Sequence, residues 1–276
     1  MYIKPFEQLA FYDDFMFGHI LQNPEICKGI LERLLGMKIR RIEYPELQKE
    51  IAPYYTAKGI RLDVYASDGS TVYDMEIQNY SQPDIGRRTR YYQSMLDIDN
   101  LIKGQDYSAL KESYIIFLCR FDPFKKGIPC YTFSRTCSEA PEAELRDGAV
   151  LKIFNCEAYA KAEDWETKTF LKFVETNKAD STFTRRIYDM VETQKTAEGA
   201  KQYYYSWGLA ERDARYRGRR EGEIIGRKKG AALTSIQNAK NLLAMNVLTH
   251  EQIAQAVGLP LEKIEELAAA QEHKSE

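Results

Sequence analysis

Gly59-Ile-Arg-Leu-Asp63-Val-Tyr65-Ala66 and Thr71-Val-Tyr73-Asp74-Met-Glu76-Ile-Gln78, separated by Ser67-Asp68-Gly69-Ser70, decide how this chain is read. Both runs alternate with the period of two that marks a β-strand. Ile60, Leu62, Val64 and Ala66 share one face of the first, with Arg61, Asp63 and Tyr65 opposite. In the second, Tyr73, Met75 and Ile77 oppose Val72, Asp74, Glu76 and Gln78. Asp68-Gly69 is a two-residue hairpin signal. With that turn, Asp63 faces Asp74 across the hairpin and Glu76 lies on the diagonal, so Asp63, Asp74, Glu76 and Gln78 share one surface. A three-residue loop would break that register.

Like charges so close destabilise a bare sheet. Two readings are open for them. One is a polar, exposed hairpin face. The other is a site for a hard cation such as Mg²⁺, which takes oxygen ligands and needs few from protein. A bound cation of that kind can activate water against a phosphoryl group. The Gln78 amide is no strong base, but it can orient water or a phosphate oxygen.

Other segments flank the hairpin. Asp13-Asp14-Phe15-Met16-Phe17 opens a helical pattern over about 13–35, with Phe17, Ile20, Leu21, Ile26, Ile30, Leu31, Leu34 and Leu35 as its apolar stripe. Strands are expected near 38–49, 58–66 and 71–79, then a helix from Pro83 to about Ile102 bearing Arg88-x-x-x-Tyr92-Gln93-Ser94. Buried strands are expected at Tyr114–Leu118, Cys130–Phe133 and Val150–Phe154. Phe117-Leu-Cys-Arg-Phe-Asp122-Pro123-Phe124, Gly127-Ile-Pro-Cys-Tyr131-Thr-Phe133 and Asp147-Gly148 complete the set.

On these segments the chain resembles the Rpn family of recombination-promoting nucleases, also described as transposases of the PD-(D/E)XK nuclease superfamily. The resemblance covers roughly the first 155 residues. It implies an α/β, restriction-endonuclease-like αβββαβ core with a mixed central sheet, followed by a helical C-terminal region. It implies that Asp63 and Glu76 ligate Mg²⁺ (or Mn²⁺), that Ile77 lends its backbone carbonyl, and that Gln78 stands where the superfamily has Lys. The implied activity is DNA endonuclease chemistry with little sequence preference, in recombination, mobile-element or phage-defence contexts. A non-catalytic DNA-binding or assembly protein on the same fold is the alternative. The Pro that usually precedes the first acid is replaced by Leu62.

Arg88 and Tyr92 are four apart and share a helix face. Arg88 is read either as a phosphate contact or as the partner of an acid such as Asp74, and Tyr92 as core. Glu25, an acid in the first helical pattern, is read as surface ahead of an extra metal ligand. His19, among apolar helix positions, is read as structural.

The chain has 276 residues, 44% of them hydrophobic, and a net charge of −2. Nucleic-acid binding must therefore come from local patches. No signal peptide is recognised and no apolar run approaches membrane-spanning length, so a cytoplasmic protein away from the membrane is expected. Five cysteines without C-x-x-C spacing read as buried thiols. Three histidines offer no well-placed base for a Ser or Cys hydrolase, and no phosphate-binding glycine motif is present.

Four segments follow from these patterns: the nuclease-like domain at 1–158, a helical extension at 159–210, a Gly/Arg-rich helical linker at 211–232, and a small helical module at 233–276. In the linker, Gly218, Gly222, Gly226 and Gly230 recur every four residues, at about 1 kcal/mol each against Ala in a helix. That smooth face is read as a homo-oligomer contact, ahead of a charged linker and of a DNA-tracking arm. The last module opens with the capping box Thr249-His-Glu-Gln252 and is similar to a helix-turn-helix. Its second helix carries Glu262, Lys263, Glu265 and Glu266, which argues for protein contacts over DNA reading.

Overall fold

The computed structural model describes residues 4–43, 45–51, 59–81 and 83–272. The chain divides into two compact units, Met1–Tyr204 and Tyr205–Glu276.

The first unit opens with α1 (Asp14–Leu21) and α2 (Pro24–Leu35). The single helix expected over about 13–35 is thus broken. Asn23 ends the first helix and caps the second, its Oδ1 accepting the N–H groups of Glu25 and Ile26, with Pro24 at the first helical position. Three strands follow: β1 (Glu46–Ile51), β2 (Ile60–Ser67) and β3 (Thr71–Gln78). β1 begins eight residues later than the strand expected near 38–49. α3 (Ile85–Asn100) then crosses over to β4 (Glu112–Cys119), and β5 (Cys130–Phe133) and β6 (Ala149–Asn155) complete the sheet. Pro83 lies in the turn before α3, whose N-cap Asp84 is left-handed at φ 64°.

The strand order is β1-β2-β3-β4-β6-β5. β1, β2 and β3 are antiparallel neighbours, while β3–β4 and β4–β6 are parallel, so the sheet is mixed and the fold is α/β. β3 is central and buried along its whole length. Val72, Ile115, Phe117 and Ile153 pack under Tyr92, Met95 and Leu96 of α3. Tyr73, Met75, Ile77, Ile116, Leu118 and Phe154 alternate to the other face and are equally buried. β5, expected as a buried strand, is an edge strand with Thr132 and Phe133 exposed.

Side chains pin the layers together. Lys49 pairs with Asp99 at 3.0 Å, and Tyr65 donates to Asn100 Oδ1 at 3.1 Å, which ties the end of α3 to β1 and β2. The Asp122 carboxylate accepts the N–H groups of Phe124, Lys125 and Gly127 and the Tyr131 hydroxyl, so the Asp-Pro-Phe segment folds into the turn that delivers β5. α4 (Trp165–Thr176) and α5 (Thr182–Thr196) close this unit, with Phe170 and Phe173 of α4 packed on Phe11.

α6 (Ala200–Met245) begins in the first unit and continues into the second. In its first turn Tyr204 is buried against Phe6 and Phe15, and Tyr203 also meets Phe15. His19 stacks on the same Phe15 ring at 6.0 Å. In the second unit α7 (His250–Val257) and α8 (Leu261–Glu272) fold onto the end of α6 around Ala239, Ile253 and Ile264. The Thr249/Gln252 capping box is formed. Among the described residues, no helix is long and apolar enough to cross a membrane.

Candidate active site

The site grows from a fork in the sheet. β2 and β3 pair from Ser67↔Val72 to Val64↔Met75, and their ladder stops there although both strands run on. β2 stays with β1 as far as Ile51↔Ile60, and β3 stays with β4 as far as Gln78↔Cys119. In the opening, carboxylates take the place of ladder bonds. The Asp63 N–H donates to Glu76 Oε1 at 2.8 Å, and the Ile77 N–H donates to Asp63 Oδ2 at 3.1 Å. Gln48, in line with Asp63 on β1, forms no ladder pair and has φ 48°.

The register differs by two residues from the one expected, since Asp74 lies opposite Tyr65 rather than Asp63. The turn is four residues long. The Asp68 N–H donates to the Thr71 carbonyl, and Asp68 Oδ1 accepts from the Ser70 and Thr71 N–H groups. Gly69 supplies the φ of 98° this turn needs. A shift of two keeps every side chain on its face, so Asp63, Asp74, Glu76 and Gln78 still share one surface. That surface is not the exposed polar face left open by the sequence. Asp74 is 0% and Glu76 1% exposed, and Gln78 is buried as well.

Burial sets the electrostatics. It raises the Asp63 carboxyl to about 7, with the Asp14 charge adding and the Ile77 N–H, Arg88 and Arg61 opposing. Asp74 and Glu76 are likewise held well above the carboxylate range, first by burial and then by neighbouring acids. Neither oxygen of Asp74 has a hydrogen-bond partner among the described residues.

Arg88 reaches this cluster from the first turns of α3. Its Nη2 donates to Glu76 Oε2 at 2.8 Å and to the Tyr92 hydroxyl at 3.0 Å, and its Nη1 donates to Gln78 Oε1 at 3.0 Å. Its acidic partner is Glu76, two residues along β3 from the Asp74 named in the sequence reading. Tyr92 is core, as expected, at 8% exposure.

The acid that the first helices contribute is Asp14. It stands close enough to Asp63 to raise its pKa, and Asn79 Nδ2 lies 3.5 Å from its Oδ1. Glu25 is exposed in the first turn of α2. Asp13-Asp14-Phe15-Met16-Phe17 is one of the segments behind the family resemblance, but the approach of Asp14 to Asp63 depends on α1 packing against β2, which no local pattern reveals.

Oxygen donors of this kind suit a small hard cation, and the unpartnered Asp74 oxygens add to that fit. Among the described residues no three His, Cys, Asp or Glu side chains form a ready-made ligand cage. The fit is therefore to an ion that keeps much of its water and takes few protein ligands.

A mixed sheet flanked by helices, with acids where an antiparallel strand pair parts beside a parallel one, defines a restriction-endonuclease-like nuclease fold. Within that class, the chain belongs to the PD-(D/E)XK nuclease family transposases, whose family model matches residues 10–204. No curated protein and no solved structure matches the chain.

Proposed function

We propose that the first unit is a divalent-cation-dependent DNA endonuclease that hydrolyses phosphodiester bonds with little sequence preference. The observation that carries the reading is the meeting of the half-buried Asp63 with two fully buried acids, Asp74 and Glu76, beside the Arg88 guanidinium at the fork. In this reading Asp63, Glu76 and the Ile77 carbonyl hold Mg²⁺ (or Mn²⁺). The bound cation would polarise a phosphoryl oxygen and lower the pKa of the attacking water. Gln78 orients that water or a phosphate oxygen through its amide. Arg88 binds a phosphate oxygen with the fork of donors that now serves Glu76 and Gln78. Asp74 lies fully buried beside them, its carboxyl held above the usual range first by burial and then by the Asp63 charge.

Recombination, mobile-element movement or phage defence would use such an activity, and free thiols at all five cysteines fit a cytoplasmic setting. We also read α6 as the homo-oligomer contact. A Cβ placed on Gly218, Gly222, Gly226 or Gly230 would meet nothing within 4 Å, which leaves room for a second backbone.

The engagement of Glu76 by Arg88 and of both carboxylates by backbone N–H groups favours a second reading, a non-catalytic assembly protein on the same fold. Supercoiled plasmid with Mg²⁺ separates the two. The unaltered protein should nick it, and Asp63→Ala and Glu76→Ala should not. Equal nicking by all three sinks the assigned site, and no nicking by any supports the second reading. For the oligomer, a chain ending after Tyr204 should contain fewer copies per particle by light scattering than the full chain, and an unchanged number of copies counts against the α6 contact.

A further inference from the structure

Tyr80 is 82% exposed, although it stands only two residues beyond Gln78. The chain leading to it is fixed from two sides. The Arg120 N–H donates to the Gln78 carbonyl at 2.9 Å, and Asn79 Nδ2 donates to the Tyr12 carbonyl at 2.9 Å. Two residues of extended chain span about 7 Å at most, so the Tyr80 Cα lies within that reach of the Gln78 Cα. Further along, Arg87 and Tyr91 lie four apart on α3, both exposed. An exposed tyrosine alone is ordinary. Tyr107, 89% exposed, precedes the opposite, N-terminal end of β4.

Resting on the nuclease reading above, we infer that Tyr80 is a stacking platform for an unpaired base, and that the site therefore selects DNA with an unpaired nucleotide next to the scissile phosphate. Stacking on an aromatic side chain is tolerant of base identity, because every base has a π-face. Within an uninterrupted duplex both faces of each base are already covered by its neighbours. Only a single strand, a flap, a gap or a frayed end can offer a face to Tyr80. Arg87, 3.5 Å from Asp84, and Tyr91 present a further guanidinium and ring along α3. The result is a preference for DNA structure without a preference for sequence.

The test uses matched labelled oligonucleotides, one fully paired, one single-stranded and one carrying a flap, cleaved with Mg²⁺ by the full chain. The unaltered protein should show a higher kcat/KM on the unpaired substrates. Tyr80→Ala should lower the ratio of unpaired to paired kcat/KM by between about five- and a hundredfold, through KM, while Tyr80→Trp retains it. An unchanged ratio in Tyr80→Ala, or a loss carried by kcat alone, overturns the inference. If the unaltered protein cleaves none of the substrates, the nuclease reading falls by itself. Fluorescence anisotropy of the same oligonucleotides without metal then decides the stacking role. Weaker binding of unpaired DNA by Tyr80→Ala upholds it, and equal binding overturns it.

Discussion

Replacing Asp63 by Asn should make the metal-free protein more stable while removing the metal-dependent activity proposed for it. In the fold the Asp63 carboxyl is raised from 3.8 to about 7, first by burial and then by the Asp14 charge. Between about pH 4 and pH 7 the unfolded chain has released this proton and the folded chain has kept it. The folded state then binds more protons, so stability falls as pH rises through that window and is level above it. At about 1.36 kcal/mol per pH unit, the span from 3.8 to about 7 corresponds to on the order of 4 kcal/mol. Asp74 and Glu76 crowd the same pocket and are raised in the same direction, so the part carried by Asp63 alone is smaller. Asn keeps an oxygen for the Ile77 N–H and carries no charge. Urea unfolding in EDTA at about pH 4 and about pH 8 reads the effect. The two proteins should nearly coincide at the lower pH, and the variant should be more stable by about 1–4 kcal/mol at the higher. Mg²⁺ at pH 8 should then raise the stability of the unaltered protein and leave the variant where it was. An unaltered protein no less stable at pH 8 than at pH 4, or a variant less stable at pH 8, would refute the reasoning.

Three further changes probe neighbouring claims. Gly29→Ala would set a Cβ 2.5 Å from the Phe183 ring, on which Arg33 stacks at 3.6 Å, so a loss of about 1–3 kcal/mol should appear as a lower Tm. Gln78→Lys restores the residue usual in the superfamily, yet it places a second cation where Gln78 Oε1 now accepts from Arg88. It should cost about 1–2 kcal/mol in urea unfolding, and unchanged stability would count against the Arg88–Gln78 bond. Asp14→Asn removes a charge that raises Asp63, so the pH window of falling stability should close below pH 7. A carboxyl NMR titration of Asp63 would follow that shift directly.

The hairpin was legible because alternation survives an error of register. Asp68-Gly69 suggested a two-residue turn, but the Asp68 side chain gathers the Ser70 and Thr71 N–H groups and lengthens it. The slip of two residues left the acids on the same face. The break between α1 and α2 was missed: Asn23-Pro24, a capping pair, marks it, but the apolar stripe continues across it. Burial of the acids was not legible. Asp74 and Glu76 read as a solvated face until β3 is seen to be central, with α3 over it. Asp14 could not be found from spacing, since 49 positions separate it from Asp63 and only packing brings them together.

The fork also bears on which ion the site would accept. Asp63 rides on a strand held by β1, and Glu76 on a strand held by β4. Among the described residues the width between them is therefore set by those two ladders, the β1 ladder being open at Gln48 beside Asp63. Discrimination between a small and a large divalent ion depends on cavity size and flexibility. Here both are properties of the sheet, so ionic-radius preference should respond to substitutions on β1 and β4 that touch neither carboxylate.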